Sequence, residues 1–253
     1  MPNQPCFCGS GKKNKKCHPT IRNGSLIANL YCIYKQLDEE TKGIKEIICN
    51  PDCCDCCSGY FYISEIEFYA ILEFIMRTEP KVYLDSVISN ATTQLEQLRL
   101  QCPSEYRKLI SPIDKFVNIN HNCFDDSNIK KYGRCIFLNS NEGKCGIYSV
   151  RPIVCRLFGC YVYTSGCVSL ERNQELSRVL LKDCQVNIID NIDRYVCANG
   201  EHVLTRPYPI VYFFGKTIHN LDNPIFKTNL LYAATSNVES FLQLKLSRAH
   251  NRL

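Results

Sequence analysis

The stretch PCFCGSGKKNKKCHPT crowds four metal-ligand residues into one short segment near the start of the chain: Cys6, Cys8, Cys17 and His18. Between residues 2 and 18, Phe7 is the one large apolar side chain, so this segment cannot bury enough surface to fold alone. Three thiolates and one imidazole form the closed tetrahedral set that structural zinc takes, and such zinc contributes on the order of 10 kcal/mol to folding. The segment predicts a small zinc knot. The alternative is a disordered basic tail.

How the 18 cysteines of the chain behave depends on the compartment. No apolar run approaches the roughly 18 residues needed to span a membrane, and the N-terminus lacks the apolar stretch of a signal peptide. We therefore expect a cytoplasmic protein, in which reducing conditions disfavour disulfides and favour metal coordination. The net charge of +5 is mild, so we expect no sequence-specific nucleic acid as a partner.

A second group of cysteines has the spacing Cys-x3-Cys-x2-Cys-Cys and is formed by Cys49, Cys53, Cys56 and Cys57. Three more cysteines follow far downstream, with nine residues between neighbours: Cys135, Cys145 and Cys155. A tight run of cysteines cannot reach one ion without strain, so we expect ligands from both groups to be shared. Together they suffice for two metal sites, or for one iron-sulfur cluster and one structural ion.

The first segment resembles the SEC-C motif, the zinc-binding tail of the SecA translocation ATPase, over residues 5–19. In SecA that motif contacts the SecB chaperone and the ribosome. The resemblance implies a docking module for an export chaperone or the ribosome. Clustered positive charge would then face an acidic protein surface or ribosomal RNA, and it is carried by Lys12, Lys13, Lys15 and Lys16. The alternative is that these lysines are simply solvated.

The two central cysteine groups resemble a bacterial family of zinc- or iron-chelating proteins, known as the CxxCxxCC or YkgJ family. The resemblance rests on the cysteine spacing, on Gly59 with YFYIS, and on the runs CIFL, CGIY and RPIVCR. It implies a zinc site or an iron-sulfur cluster on the central cysteines. Related members include flagellin lysine-N-methylases, so an iron-sulfur enzyme with a methylase-like, protein-modifying activity is the alternative function.

Arg151 and Arg156 flank Cys155, and a guanidinium beside a thiolate favours its deprotonated form. We expect them to support the metal centre from outside its ligand set. The alternative is that they pair with a carboxylate and have a structural role.

The spacing of apolar residues and the helix start and stop signals predict a mainly α protein, with irregular, Cys-rich metal-binding loops between the helices. A capping box at Ser64 and Glu67 marks one helix start. We predict two domains, a SEC-C-like zinc knot at 1–20 on a short tether and a cysteine-cluster domain at 21–253 with a helical C-terminal extension. The predicted helices cover 26–37, 64–78, 81–101, 104–117, 170–195 and 227–246, and a strand is predicted at 205–215.

Three classes of function remain open from the sequence: a structural metalloprotein that docks through its knot, an iron enzyme, and a protein that stores or delivers metal. No glycine-rich cofactor loop and no Ser-His-Asp order is visible, which favours metal binding without assigned catalysis. We assign no role to four further cysteines: Cys54, Cys160, Cys167 and Cys184.

Overall fold

The fold is taken from a computed structural model, which describes residues 4–41, 57, 62–110, 133–139, 142–153, 155–156, 208–217, 221, 223–237 and 240. In these residues the protein is mainly α, which confirms the predicted fold class. Its α-helices are α1 (Asn14–Cys17), α2 (Leu26–Thr41), α3 (Glu65–Thr78), α4 (Lys81–Gln101), α5 (Pro103–Leu109), α6 (Ile210–Tyr212) and α7 (Pro224–Thr235). Its strands are short and antiparallel, with β1 (Tyr62–Ile63) pairing with β4 (Tyr208–Pro209) and β2 (Leu138–Asn139) pairing with β3 (Lys144–Cys145).

Helix α3 lies at the centre of the core, because it is apolar on most of its faces. Phe68 stacks on Phe213 with ring centroids 4.9 Å apart, and meets Phe214 and Phe226 edge-on. Helix α2 packs against α3, and α4 adds a buried stripe at helical spacing. The stripe consists of Leu84, Val87, Ala91, Leu95 and Leu98.

The start of α3 has the predicted capping box. The Glu67 amide donates to the Ser64 hydroxyl over 3.2 Å, and the Ser64 amide donates to Glu67 Oε2 over 2.8 Å. The other carboxylate oxygen of Glu67 accepts a hydrogen bond from the Ile153 amide at 2.9 Å. Burial raises the pKa of Glu67, although these hydrogen bonds oppose the rise. Glu67 therefore joins the helix start to the segment that carries Cys155.

The predicted strand at 205–215 is wrong for most of its described residues. After the two residues of β4 the chain turns into α6 and then into a π-helix, Phe213–Thr217. The π-helix packs tightly on α4, since a Cβ added to Gly215 would lie 2.6 Å from the Leu95 side chain. The aromatic and β-branched residues that favour a strand are used here to fill a helical core, and packing overrides their weak intrinsic preference.

The other predicted helices have mixed outcomes. The helices at 26–37, 64–78 and 81–101 are confirmed as α2, α3 and α4. The closing helix predicted at 227–246 is present as α7, which begins three residues earlier and ends at Thr235. Asn237 then accepts a hydrogen bond from the Ser240 amide, and residues 241–246 lie outside the described residues. Helix α5 covers the first part of 104–117, and the helix predicted at 170–195 lies outside the described residues. Among the described helices, none is long and apolar enough to cross a membrane.

Candidate metal centres

The N-terminal knot is a small hairpin closed by a single helical turn. Pro5 and Lys13 form an antiparallel bridge, and the Cys6 amide donates to the Lys12 carbonyl over 2.8 Å. Gly9 and Gly11 adopt φ values of +78° and +72°, which only glycine takes without strain. The tight turn and α1 thereby bring both ends of the segment to the same place.

The four ligand atoms of the knot converge, as its spacing predicts. The three Sγ atoms and one imidazole nitrogen all lie within 4.8 Å of one another, on Cys6, Cys8, Cys17 and His18. The Sγ atoms of Cys8 and Cys17 are 3.6 Å apart, and Cys6 Sγ is 3.1 Å from His18 Nδ1. A tetrahedral zinc would set such pairs about 3.5 to 3.8 Å apart. The Cys8–Cys17 pair already has this spacing, and the Cys6–His18 pair is closer, at hydrogen-bond distance. Within the described part of the chain, no other group of three or more ligand residues converges in this way.

Burial shifts the pKa values of the ligand residues in the knot. It lowers the pKa of His18 to about 4, with help from the positive charge of Arg77, so the imidazole is neutral at physiological pH. Burial also raises the pKa of Cys6 to about 12, which makes its thiolate unfavourable unless a positive charge lies beside it. Burial pushes the pKa of Cys8 upward too, but hydrogen bonds from Ser10 outweigh it and lower that pKa.

The knot packs directly on the helical domain, to which residues 19–25 connect it. The rings of His18, Phe7 and Tyr31 of α2 form a cluster, in which His18 lies 5.0 Å from Phe7 and 4.7 Å from Tyr31 between ring centroids. Behind it, the Thr20 hydroxyl donates to Glu73 of α3 over 2.8 Å. Contacts of this kind cross residue 20, and the division of the chain into 1–20 and 21–253 stays a prediction.

The two central cysteine groups meet through their backbones. The Cys135 amide donates to the carbonyl of the buried Cys57 over 2.8 Å. Cys135 precedes β2, and Cys145 lies in β3 opposite Leu138, so the β2–β3 hairpin brings both cysteines toward this point. The positions predicted at Cys49, Cys53 and Cys56 lie outside the described residues. The Cys57–Cys135 contact joins the two groups through the backbone. No three thiols converge, however, among the described central cysteines, which are Cys57, Cys135, Cys145 and Cys155.

Arg151 and Arg156 both pair with Asp38 of α2, which favours the structural alternative for these arginines. Arg156 is 3% exposed; it donates to the Ser149 carbonyl over 2.7 Å and lies over the ring of Tyr34. We call Asp38, Arg151 and Arg156 the arginine clamp. Sequence analysis missed Asp38 and Tyr34, although both lie on one face of α2 at a spacing of four residues.

Comparison with known proteins relates the chain to a family that has been described by its cysteine pattern. The model of the CxxCxxCC family, described as "Putative zinc- or iron-chelating domain", matches residues 48–184, more than half of the chain. The chain belongs to the CxxCxxCC family. No curated protein and no solved structure matches it.

The CxxCxxCC range contains all the central cysteines of the predicted site, from Cys49 to Cys155. It contains both arginines of the clamp but not Asp38. Helix α2 therefore lies outside the matched range and forms an ion pair with the CxxCxxCC domain through Asp38. The knot lies outside that range as well, and its likeness to the SEC-C motif stays a prediction.

Replacing Arg156 with lysine is expected to destabilise the CxxCxxCC domain by about 2 to 4 kcal/mol. A lysine amine is a single point charge, and it cannot serve Asp38 and the backbone carbonyls in the directions that the guanidinium fork does. Urea unfolding measures the change. Arg99→Lys is the matched control, because Arg99 pairs with Glu96 on an exposed helix surface. Equal midpoints for the two variants would contradict a stabilising clamp.

Proposed function

We propose that this chain is a metal-binding protein with two separate centres. A structural zinc occupies the knot on Cys6, Cys8, Cys17 and His18, and a zinc or iron centre occupies the central cysteines. The observation that carries the first assignment is the convergence of four suitable donor atoms within 4.8 Å. Membership of a zinc- or iron-chelating family supports the second, as does the contact between Cys57 and Cys135.

The make-up of the knot supports a structural zinc rather than a catalytic one. Four protein ligands complete the tetrahedral shell, which leaves no position for a substrate or an activated water. The His18 ring is buried against Phe7 and Tyr31, so the ligand set is also closed on its inner side. Zinc in this place holds the hairpin, and the hairpin covers α2.

The test is oxygen-free purification followed by analysis of zinc, iron and acid-labile sulfide. We expect about one zinc per chain that is lost from a Cys8→Ser, Cys17→Ser variant, while the metal of the central cysteines remains. If the metal that remains in this variant is iron with acid-labile sulfide, the result favours the alternative function, an iron-sulfur enzyme. A knot variant that keeps the full metal content of the natural chain would contradict the assignment of zinc to the knot.

We further propose that the knot docks the protein onto an acidic surface of an export chaperone or of the ribosome. The likeness of residues 5–19 to the SEC-C motif supports this, and so does the charge that the knot presents to solvent. Four exposed lysines lie on or beside the hairpin and α1: Lys12, Lys13, Lys15 and Lys16. Since the inner face of the knot is packed on α2, this basic outer face is the part that a partner can reach.

A Lys12→Glu, Lys15→Glu variant is expected to weaken such binding on the order of tenfold at low salt, with a smaller effect at high salt. Co-sedimentation with ribosomes and titration of a purified export chaperone measure it. Lys81→Glu with Lys216→Glu is the matched control, because it makes the same change in net charge at exposed positions outside residues 5–19. An equal loss in both variants would mean nonspecific attraction and would contradict docking through the knot.

A further inference from the structure

Helix α3 contributes one buried carboxylate that contacts the end of the knot. Glu73 is 7% exposed, and its Oε1 accepts hydrogen bonds from the Thr20 hydroxyl over 2.8 Å and from Arg77 Nε over 3.0 Å. Thr20 follows the ligand His18 by two residues, whereas Glu73 and Arg77 lie in α3, within the range that the CxxCxxCC family matches. The bond between Thr20 and Glu73 therefore joins the knot to the family domain.

His18 and Thr20 lie in one turn of the backbone. The Ile21 amide donates to the His18 carbonyl over 3.2 Å, and the Ile21 carbonyl accepts a hydrogen bond from the Asn14 side chain of α1 over 3.2 Å. Ile21 is itself buried in the core. Because these contacts fix the turn to the rest of the knot, a restraint at Thr20 also restrains the backbone of His18 and the position of its imidazole.

The Glu73 carboxylate depends on the few donors that reach it. Its Oε2 is buried and has no hydrogen-bond partner in the described part of the chain, so Oε1 makes both of its contacts. A buried carboxylate is costly unless it is paired and hydrogen-bonded. Arg77 lies one turn further along the same helix, so its contact does not depend on the knot. Thr20 belongs to the knot, and its contact with Glu73 exists only while the knot is in place.

We propose that Glu73 is a positioning residue of the knot, through which zinc binding at the four knot ligands is coupled to the stability of the helical domain. This role rests on the zinc proposed for the knot. Zinc holds the hairpin and thereby keeps Thr20 on Glu73, and the Thr20–Glu73 bond in turn keeps His18 in position for the ion. Such coupling is reciprocal: the factor by which zinc strengthens this bond is the factor by which the bond strengthens zinc binding.

The test is Thr20→Val in the natural full-length chain, which removes the hydroxyl and keeps the shape of the side chain. Thr20 is exposed, so the variant is expected to fold. Zinc affinity is measured by competition with a chelator, counting only the zinc that a Cys8→Ser, Cys17→Ser chain lacks. Thr20→Ser is the conservative variant, because it keeps the hydroxyl. Thr78→Val is the matched control, since it removes a hydroxyl of α3 that donates to the Phe74 carbonyl.

We expect Thr20→Val to bind the knot zinc about three- to tenfold more weakly, while Thr20→Ser and Thr78→Val bind it like the natural chain. Thr20→Val should also lower the melting temperature more in the zinc-loaded chain than in the Cys8→Ser, Cys17→Ser chain, because the bond forms only with the knot in place.

An unchanged zinc affinity in Thr20→Val would overturn the role of Glu73 and leave the zinc knot standing. Equal falls in melting temperature in the two backgrounds would also overturn it, since the bond would then be structural and independent of zinc. Equal zinc contents in the natural chain and in the Cys8→Ser, Cys17→Ser chain would instead refute the proposed zinc of the knot itself.

Discussion

A chain in which Cys56 and Cys57 are replaced by serine is expected to lose the cooperative unfolding of its central domain. In the irregular Cys-rich loops that the sequence predicts, metal ligation would be the main interaction that holds the chain in place. Cys57 is buried and its carbonyl accepts the Cys135 amide, so a loop released at Cys57 also frees the β2–β3 hairpin. Thermal unfolding followed by circular dichroism, together with the metal content, measures the effect.

Cys102→Ser is the control for that variant. Cys102 caps the C-terminus of α4 and lies outside the predicted ligand set, so its replacement should leave metal content and unfolding nearly unchanged. A Cys56, Cys57 variant that melts at the same temperature as the natural chain would contradict a structural centre. A variant that loses metal but not stability would instead favour metal delivery, because a carrier must release its cargo without unfolding.

Removing the knot zinc is expected to lower the melting temperature on the order of 10 °C. Without the ion, the hairpin cannot hold Phe7 and His18 against Tyr31, and the uncovered apolar surface is worth about 2 to 4 kcal/mol. A Cys8→Ser, Cys17→Ser variant measures this by calorimetry alongside zinc analysis.

The matched control for the knot is Cys32→Ser, a nearby and exposed thiol of α2 that is not among the four ligands. It should keep its zinc and its melting temperature. If the double variant loses zinc while its melting temperature stays in place, the knot has no stabilising contact with the helices, against the geometry of His18 and Tyr31.

Local patterns predicted the parts of this protein that depend on local interactions. The knot ligands lie within 13 residues, and two glycines allow the turn that joins them, so spacing and chemistry together predicted their convergence. The capping box and the apolar periodicity predicted α3 and α4 for the same reason. Each of these features is decided by side chains that are close along the chain.

Features that depend on distant contacts could not be predicted in this way. Asp38 and Arg156 are 118 residues apart in sequence. From the RPIVCR run alone, the thiolate of Cys155 and a carboxylate were equally plausible partners for Arg156. The strand predicted at 205–215 failed because Phe213 and Phe214 pack around Phe68 of α3, in a helical arrangement that their own preferences do not encode. The packing of the knot on α2 was not predicted, because nothing in the sequence of the knot identifies Tyr31 as its partner.

The position of α2 limits how this protein can be divided or recombined. One helix supplies the tyrosine that covers the His18 ring and, two turns later, the carboxylate that holds Arg151 and Arg156. The N-terminal segment therefore does not form a unit that can be moved to another protein without α2. Grafted onto another protein, residues 1–20 would keep their four ligands but would leave Phe7 and His18 without the surface that buries them. A donor fragment that carries the first 41 residues is the smallest that includes both the ligands and the helix on which they rest.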